Sequence, residues 1–143
     1  YLMYAEAVLK GYGSATSTSP VFGLTAEEAV NKIRSRSGVG NVAAKFVSDP
    51  DLFMEEIIRE RAVELGFEHN QRFNDLGRWR LAEKREFREK TAIDFDRDHV
   101  TGKPINSQER IIQVRPWGEK FYWLPLKIDD VTLYPSFGQN PGW

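Results

Sequence analysis

Glu60-Arg61-Ala62-Val63-Glu64-Leu65-Gly66-Phe67-Glu68-His69-Asn70-Gln71-Arg72-Phe73-Asn74-Asp75-Leu76-Gly77-Arg78-Trp79 is the stretch whose reading decides what kind of protein this is. Charged and apolar residues alternate at helical spacing. Glu60, Glu64 and Glu68 stand four apart, and Arg72, Asp75 and Arg78 continue the ladder. Clustered carboxylates on a helix face suit acid–base chemistry or a divalent metal. The alternative is architectural, a charged face in which each acid finds a cation one turn away. Arg61 lies three residues from Glu64, Arg72 lies four from Glu68, and Arg72 and Arg78 each lie three from Asp75. A catalytic acid needs a raised pKa, which a neighbouring guanidinium opposes. The pattern therefore favours a structural ladder of Arg61, Glu64, Glu68, Arg72, Asp75 and Arg78. Glu60 has no cation on its own face, its nearest neighbour there being Glu64.

The segments around the ladder are helical too. Leu2, Ala5, Val8 and Leu9 share a face, so residues 1–11 read as a helix with Gly11 as its cap. A Ser/Thr/Gly/Pro loop follows over 12–24. Thr25 and Glu28 have capping-box spacing, opening a second helix with Ala26, Ala29, Val30 and Ile33 as its stripe and Gly38 at its end. Residues 1–38 thus form a helical hairpin of the tetratricopeptide kind. Asp49-Pro50 places a capping acid before a proline at the first helical position. The third helix is expected over about 50–67, with Leu52, Phe53, Ile57, Ile58 and Leu65 apolar, then a bend near Gly66 and His69-Asn70. A fourth covers about 70–83 and buries Phe73, Leu76 and Trp79. Beyond it the reading is a mixed-charge helical tail over Lys84–Lys90, a polar loop over Asp94–Pro104, a short strand at Ile111–Val114, an apolar run at Phe121–Leu126 and a turn near Ile128–Val131. The expected organisation is one mainly α domain over 1–143: hairpin 1–38, charged helices 50–83, irregular wrap 84–143.

Composition narrows the chemistry. The chain has 143 residues, 41% hydrophobic, 29% charged and 13% aromatic, with a net charge of −1. That length suits one domain. The charge balance offers nucleic acid no general attraction. With no cysteine, thiol catalysis, Cys-zinc sites and disulfides are excluded. Two histidines, at 69 and 99, are too few for a His-rich metal centre. No apolar run approaches the roughly 20 residues that span a bilayer. No phosphate loop, nucleophile elbow or dinucleotide fingerprint is present, and no cofactor is expected. The start at Tyr1-Leu2-Met3-Tyr4 reads as mid-helix, so the chain is expected to be a fragment, and the lack of a targeting signal in it says nothing about the parent protein.

Two further constellations qualify as sites. Asp94, Asp96 and Asp98 have the spacing that opens a calcium loop. However, His99 stands where the sharp turn wants glycine, Ile105 where a bidentate Glu belongs, and Arg97 adds a repelling charge, which favours a solvated loop. Trp117, Phe121, Tyr122 and Trp123 form an aromatic set, and exposed rings of this kind stack on sugar faces. Core packing is the commoner fate of such a run. Trp117, between Pro116 and Gly118, with Arg115 as a donor and Tyr122 nearby, is the leading set for a glycan.

Four segments in order carry a family resemblance: Leu2-Met3-Tyr4-Ala5-Glu6-Ala7, Ala29 to Gly38, the Glu60–Trp79 ladder, and Trp123-Leu124-Pro125-Leu126 through to Gln139-Asn140-Pro141-Gly142-Trp143. Together they resemble the C-terminal part of SusD/RagB-type proteins, nutrient-binding outer-membrane lipoproteins of Bacteroidetes. The resemblance implies tetratricopeptide-like helices and no enzymatic activity. It implies a cell-surface protein, lipid-anchored through a cysteine upstream of this chain, that caps a TonB-dependent (SusC-like) transporter and captures oligosaccharides or polysaccharides. It makes the ladder scaffold and places most ligand contacts upstream. The competing reading is a helical-repeat scaffold that binds protein partners and no sugar.

Overall fold

Thr25 and Glu28 set the first fixed point of the computed structural model, which describes residues 1–143. The Thr25 hydroxyl accepts the Glu28 N–H at 3.0 Å, and the Glu28 carboxylate accepts the Thr25 N–H at 2.7 Å. Two of the four N–H groups that open a helix are satisfied reciprocally, as the spacing required. The helix so started, α2 (Ala26–Arg36), packs on α1 (Leu2–Tyr12). Leu2, Ala5, Val8 and Leu9 are all buried, as are Ala26, Ala29 and Val30. Helix α1 runs past Gly11 and ends at Gly13, in the left-handed region. The loop between the two is tied back by Tyr4, whose hydroxyl donates to the carbonyls of Leu24 at 2.7 Å and Phe22 at 2.8 Å.

The fold is mainly α, as expected: seven α-helices and one two-stranded sheet. A one-turn α3 (Ala44–Val47) leads into α4 (Pro50–Glu64), where Asp49 caps the N–H groups of Asp51 and Leu52. Helix α4 lies against α1 and α3 and buries Phe53, Met54 and Ile57. It stops at Glu64 rather than near 67. The bend arrives where expected, with His69 in the left-handed region at φ 40°. Helix α5 (Gln71–Arg78) is shorter than the sequence suggested, because Arg80 turns left-handed at φ 53°. Leu76 is buried in it, whereas Phe73 remains half exposed. The chain divides into two compact units, Tyr1–Arg72 and Phe73–Trp143.

In the second unit, part of the stretch expected as an irregular wrap, 84–143, is regular. After one turn of helix α6 (Arg85–Arg88), β1 (Glu89–Arg97) and β2 (Pro104–Val114) form an antiparallel hairpin. Register shifts at Lys90/Thr91 and Asp94/Asp96 break its pairing. They also break the period-two alternation by which a strand is recognised. The 94–104 loop is in fact two strand ends and a tight turn. Asp98 makes that turn by accepting the N–H groups of Thr101 at 2.6 Å and Val100 at 3.0 Å, and the Thr101 hydroxyl at 2.8 Å. Gly102 supplies φ 69°, a conformation that carries no steric penalty only for glycine. These bonds hold the Asp98 carboxyl below the usual carboxylate range, the Thr101 N–H contributing most.

The three aspartates weighed as a metal site are therefore occupied separately. Asp94 takes the Arg110 guanidinium at 2.8 and 3.2 Å, which lowers its pKa, and Asp96 accepts the Asn106 amide at 2.9 Å. No group of three His, Cys, Asp or Glu side chains is placed to hold an ion.

The run Phe121–Leu126 is not extended at its start. A 3-10 turn over Glu119–Tyr122 precedes it. Helix α7 (Ile128–Leu133) and a 3-10 turn at Pro135–Phe137 follow. The tail then folds back on the run. The Gln139 amide bonds both the N–H and the carbonyl of Leu126, at 2.7 and 3.0 Å, and the Asn140 amide donates to Leu124 at 2.6 Å. The Trp143 indole N–H reaches the carbonyls of Trp123 at 2.7 Å and Lys120 at 3.0 Å.

Candidate functional site

Helix α5 and the 3-10 turn over Glu119–Tyr122 together wall a cavity of about 450 Å³ in the second unit. It is lined by Phe73, Asn74, Gly77, Arg78, Arg80, Trp117, Phe121, Tyr122, Trp123 and Leu124. Its size falls within the roughly 300–1,000 Å³ of small-molecule sites. Phe73 and Gly77 stand four apart on one helix face. A Cβ at Gly77 would meet nothing within 4 Å, so the missing side chain keeps that wall open. The turn presents Phe121 and Tyr122 from the other side.

Trp117 is the centre of the ring cluster. Its indole lies 5.3 Å from the Tyr122 ring, 5.7 Å from Phe121 and 6.0 Å from Phe73, in tilted and edge-on arrangements. These separations are the favoured ones for aromatic pairs. The sequence placed Trp117 in a loop as a free platform. The structure half-buries it, and the more exposed rings are Phe73 at 50% and Trp123 at 49%. Trp117 Nε1 and the Tyr122 hydroxyl are both buried without a hydrogen-bond partner. An unmade bond of this kind costs about 1–3 kcal/mol. Both atoms are closed to solvent, so a ligand meets them only as the rings shift.

The cavity carries positive groups and no carboxylate. Arg78 Nε donates to Asp75 at 3.0 Å, and its guanidinium lies 4.3 Å from the Trp79 ring. Arg80 Nη1 donates to both oxygens of Glu119, at 3.0 and 3.2 Å, and its guanidinium lies 4.8 Å from the Tyr122 ring. Of the proposed glycan set, Trp117 and Tyr122 meet here. Arg115 does not line the cavity: it is exposed, and its carbonyl accepts the Arg88 Nε at 3.0 Å. Phe73 and Arg80 were missed. Phe73 read as core, and Arg80 lies beyond the end of α5 at a left-handed φ, where helical spacing gives no signal.

A second concavity, of about 340 Å³, lies along α2 and is lined by Leu24, Glu28, Asn31, Lys32, Ser35 and Asn41. It has no ring, and two of its polar side chains are already engaged. Glu28 caps the helix, and Asn31 Oδ1 accepts the Val42 N–H at 2.9 Å.

Apart from Arg78, which lines the cavity, the ladder is not part of it, and its neighbouring charges reach across helices. Arg34 of α2 donates to Glu60 at 2.5 Å and comes within 3.8 Å of Glu56. Arg36 bonds Glu64. Arg59 holds Glu56 at 2.5 and 3.1 Å and Glu60 at 3.3 Å. Within the ladder itself, Arg78 and Asp75 pair, and the Arg72 guanidinium reaches the Ile58 carbonyl at 3.3 Å. Arg61 and Asp75 are buried, while Glu68 stands exposed in the loop after α4.

The SusD family model matches residues 1–143. Among solved structures, the crystal structure of a SusD-like protein from Bacteroides fragilis aligns over 100% of this chain. The TM-score is 0.73, with 28% sequence identity, and the alignment spans 24% of that protein's length. A comparison with curated proteins finds no match.

Proposed function

Because this chain belongs to the SusD family, we propose that it serves nutrient capture, as part of a glycan-binding protein at the outer-membrane surface. The observation that carries this is the aromatic cavity. Trp117 and Tyr122, chosen from sequence for stacking on sugars, stand together in one ring-lined hollow of fitting size. The likeness to a SusD-like protein is consistent with it. The proposal includes work with a SusC-like TonB-dependent transporter in polysaccharide uptake, a lipid anchor outside this chain, and binding without catalysis. In support of the last, Glu56, Glu60 and Glu64 are each held by arginine. No helix is long and apolar enough to cross a membrane.

Affinity electrophoresis through polysaccharide-containing gels tests the reading. The chain should be retarded by its glycan, and Trp117→Ala should run free while melting as a folded protein. Unchanged retardation of that variant would remove Trp117 from the site. Retardation by no polysaccharide, with tight binding to the transporter, would favour a protein-binding scaffold.

A further inference from the structure

We infer that the cavity of the second unit takes an acidic saccharide, a uronate, and that Arg80 is the residue that binds its carboxylate. The inference rests on the glycan-binding reading above and adds the chemical class. Its first ground is the lining, which holds two guanidinium groups and no carboxylate. Of the two, Arg78 is the more firmly placed, since its partner Asp75 is only 4% exposed.

Arg80 differs. It and its partner Glu119 are both more than half exposed, at 54% and 63%. A pair so open to water contributes only about 0–1 kcal/mol, so exchanging Glu119 for a ligand carboxylate costs little. Both bonds to Glu119 leave from Nη1. The Nε/Nη2 edge of the planar fork is left for a second, two-point contact, the geometry in which guanidinium recognises carboxylate. The Tyr122 ring under the guanidinium, 4.8 Å away, holds it at the cavity wall.

The backbone adds an independent reason. Arg80 sits at φ 53°, where a residue other than glycine carries a penalty of roughly 1 kcal/mol. Glycine would close α5 at lower cost, so the backbone alone does not explain an arginine here. Beside it, the half-exposed rings of Phe73 and Trp123 offer apolar faces for the C–H side of a pyranose. Sulfate shares the negative charge and can also be gripped at two points by the fork, so a sulfated probe belongs in the test.

Isothermal titration of the full 143-residue chain decides the question. The probes are an oligogalacturonide, a sulfated oligosaccharide and a neutral malto-oligosaccharide. The oligogalacturonide should bind most tightly and weaken with added salt. Arg80→Gln should weaken it by about tenfold or more, the effect of one charge-assisted hydrogen bond. Glu119→Gln should tighten it by removing the competing carboxylate, and thermal melts confirm that both variants fold. Preference for the sulfated probe would overturn the carboxylate assignment, as would indifference to Arg80→Gln. If a neutral oligosaccharide binds as well, is lost with Trp117→Ala and ignores Arg80→Gln, the aromatic site stands and this inference falls. If no probe binds, both fall.

Discussion

Arg34→Ala should be among the most damaging single substitutions in the first unit. The Arg34 side chain is 12% exposed, and those of Glu56 and Glu60 are each 9% exposed. Its guanidinium donates to Glu60 at 2.5 Å, lies 3.8 Å from Glu56 and, through Nε, holds the Gly40 carbonyl at 2.6 Å. Removing one partner of a buried ion pair costs about 3–5 kcal/mol, because the remaining charge loses its compensation. Arg59 still reaches both acids, at 2.5 and 3.3 Å, and it can move, being 54% exposed, so part of that cost is recovered. The lost bond to Gly40 adds about 1 kcal/mol. The expected loss is about 2–4 kcal/mol, or roughly 6–12 °C in melting temperature for a chain of this size. The assay is urea denaturation of Arg34→Ala, Glu60→Ala and the double variant. A coupling energy of about 1–3 kcal/mol between the two sites should appear. Additive effects, or an Arg34→Ala loss under about 0.5 kcal/mol, the size of an ordinary surface change, would refute the idea that this contact holds α2 to α4.

Two further outcomes concern the second unit. The hairpin turn should loosen in acid. The Asp98 carboxyl is held below its unfolded value, so its contribution is full above about pH 4 and is lost as pH falls through the lowered folded value. Amide exchange at Val100 and Thr101 should accelerate over that range, and titration of the Asp98 carboxyl at an ordinary value would contradict the turn geometry. Gly142→Ala should destabilise the tail by about 1–3 kcal/mol. The new Cβ would lie 2.8 Å from the Lys120 Cβ on a backbone at φ 86°. An unchanged melt and unchanged Trp143 fluorescence would argue against that packing.

The tail explains why the two ends of the last family-bearing segment occur together. Gln139 and Asn140 satisfy backbone groups of Leu126 and Leu124, and the Trp143 indole closes on Trp123. Each side-chain amide replaces a missing strand partner along Trp123–Leu126, whose proline cannot serve a central strand. The two motifs form one unit of structure, although each could be read in the sequence only as a string.

What the sequence determined alone was local and periodic. The capping box at Thr25, the cap at Asp49, the buried face of α1 and the bend at His69 all follow from hydrogen bonds or side-chain spacing within a few residues. Trp117 and Tyr122 could be nominated for the same reason, as rings close together in one short stretch. Tertiary structure decided what depends on separation. Glu60, which had no cation on its own face, finds Arg34 at 26 residues' distance, and Glu64 of α4 finds Arg36 of α2 at 28. Arg80 reaches the cavity only because its backbone leaves the helix and Glu119 lies 39 residues away. The hairpin was hidden because its bulges break the alternation and its strands are exposed, so no apolar pattern marks them. Local geometry is written in neighbouring residues, but long-range pairing depends on which surfaces the folded chain brings together, and periodicity does not encode that.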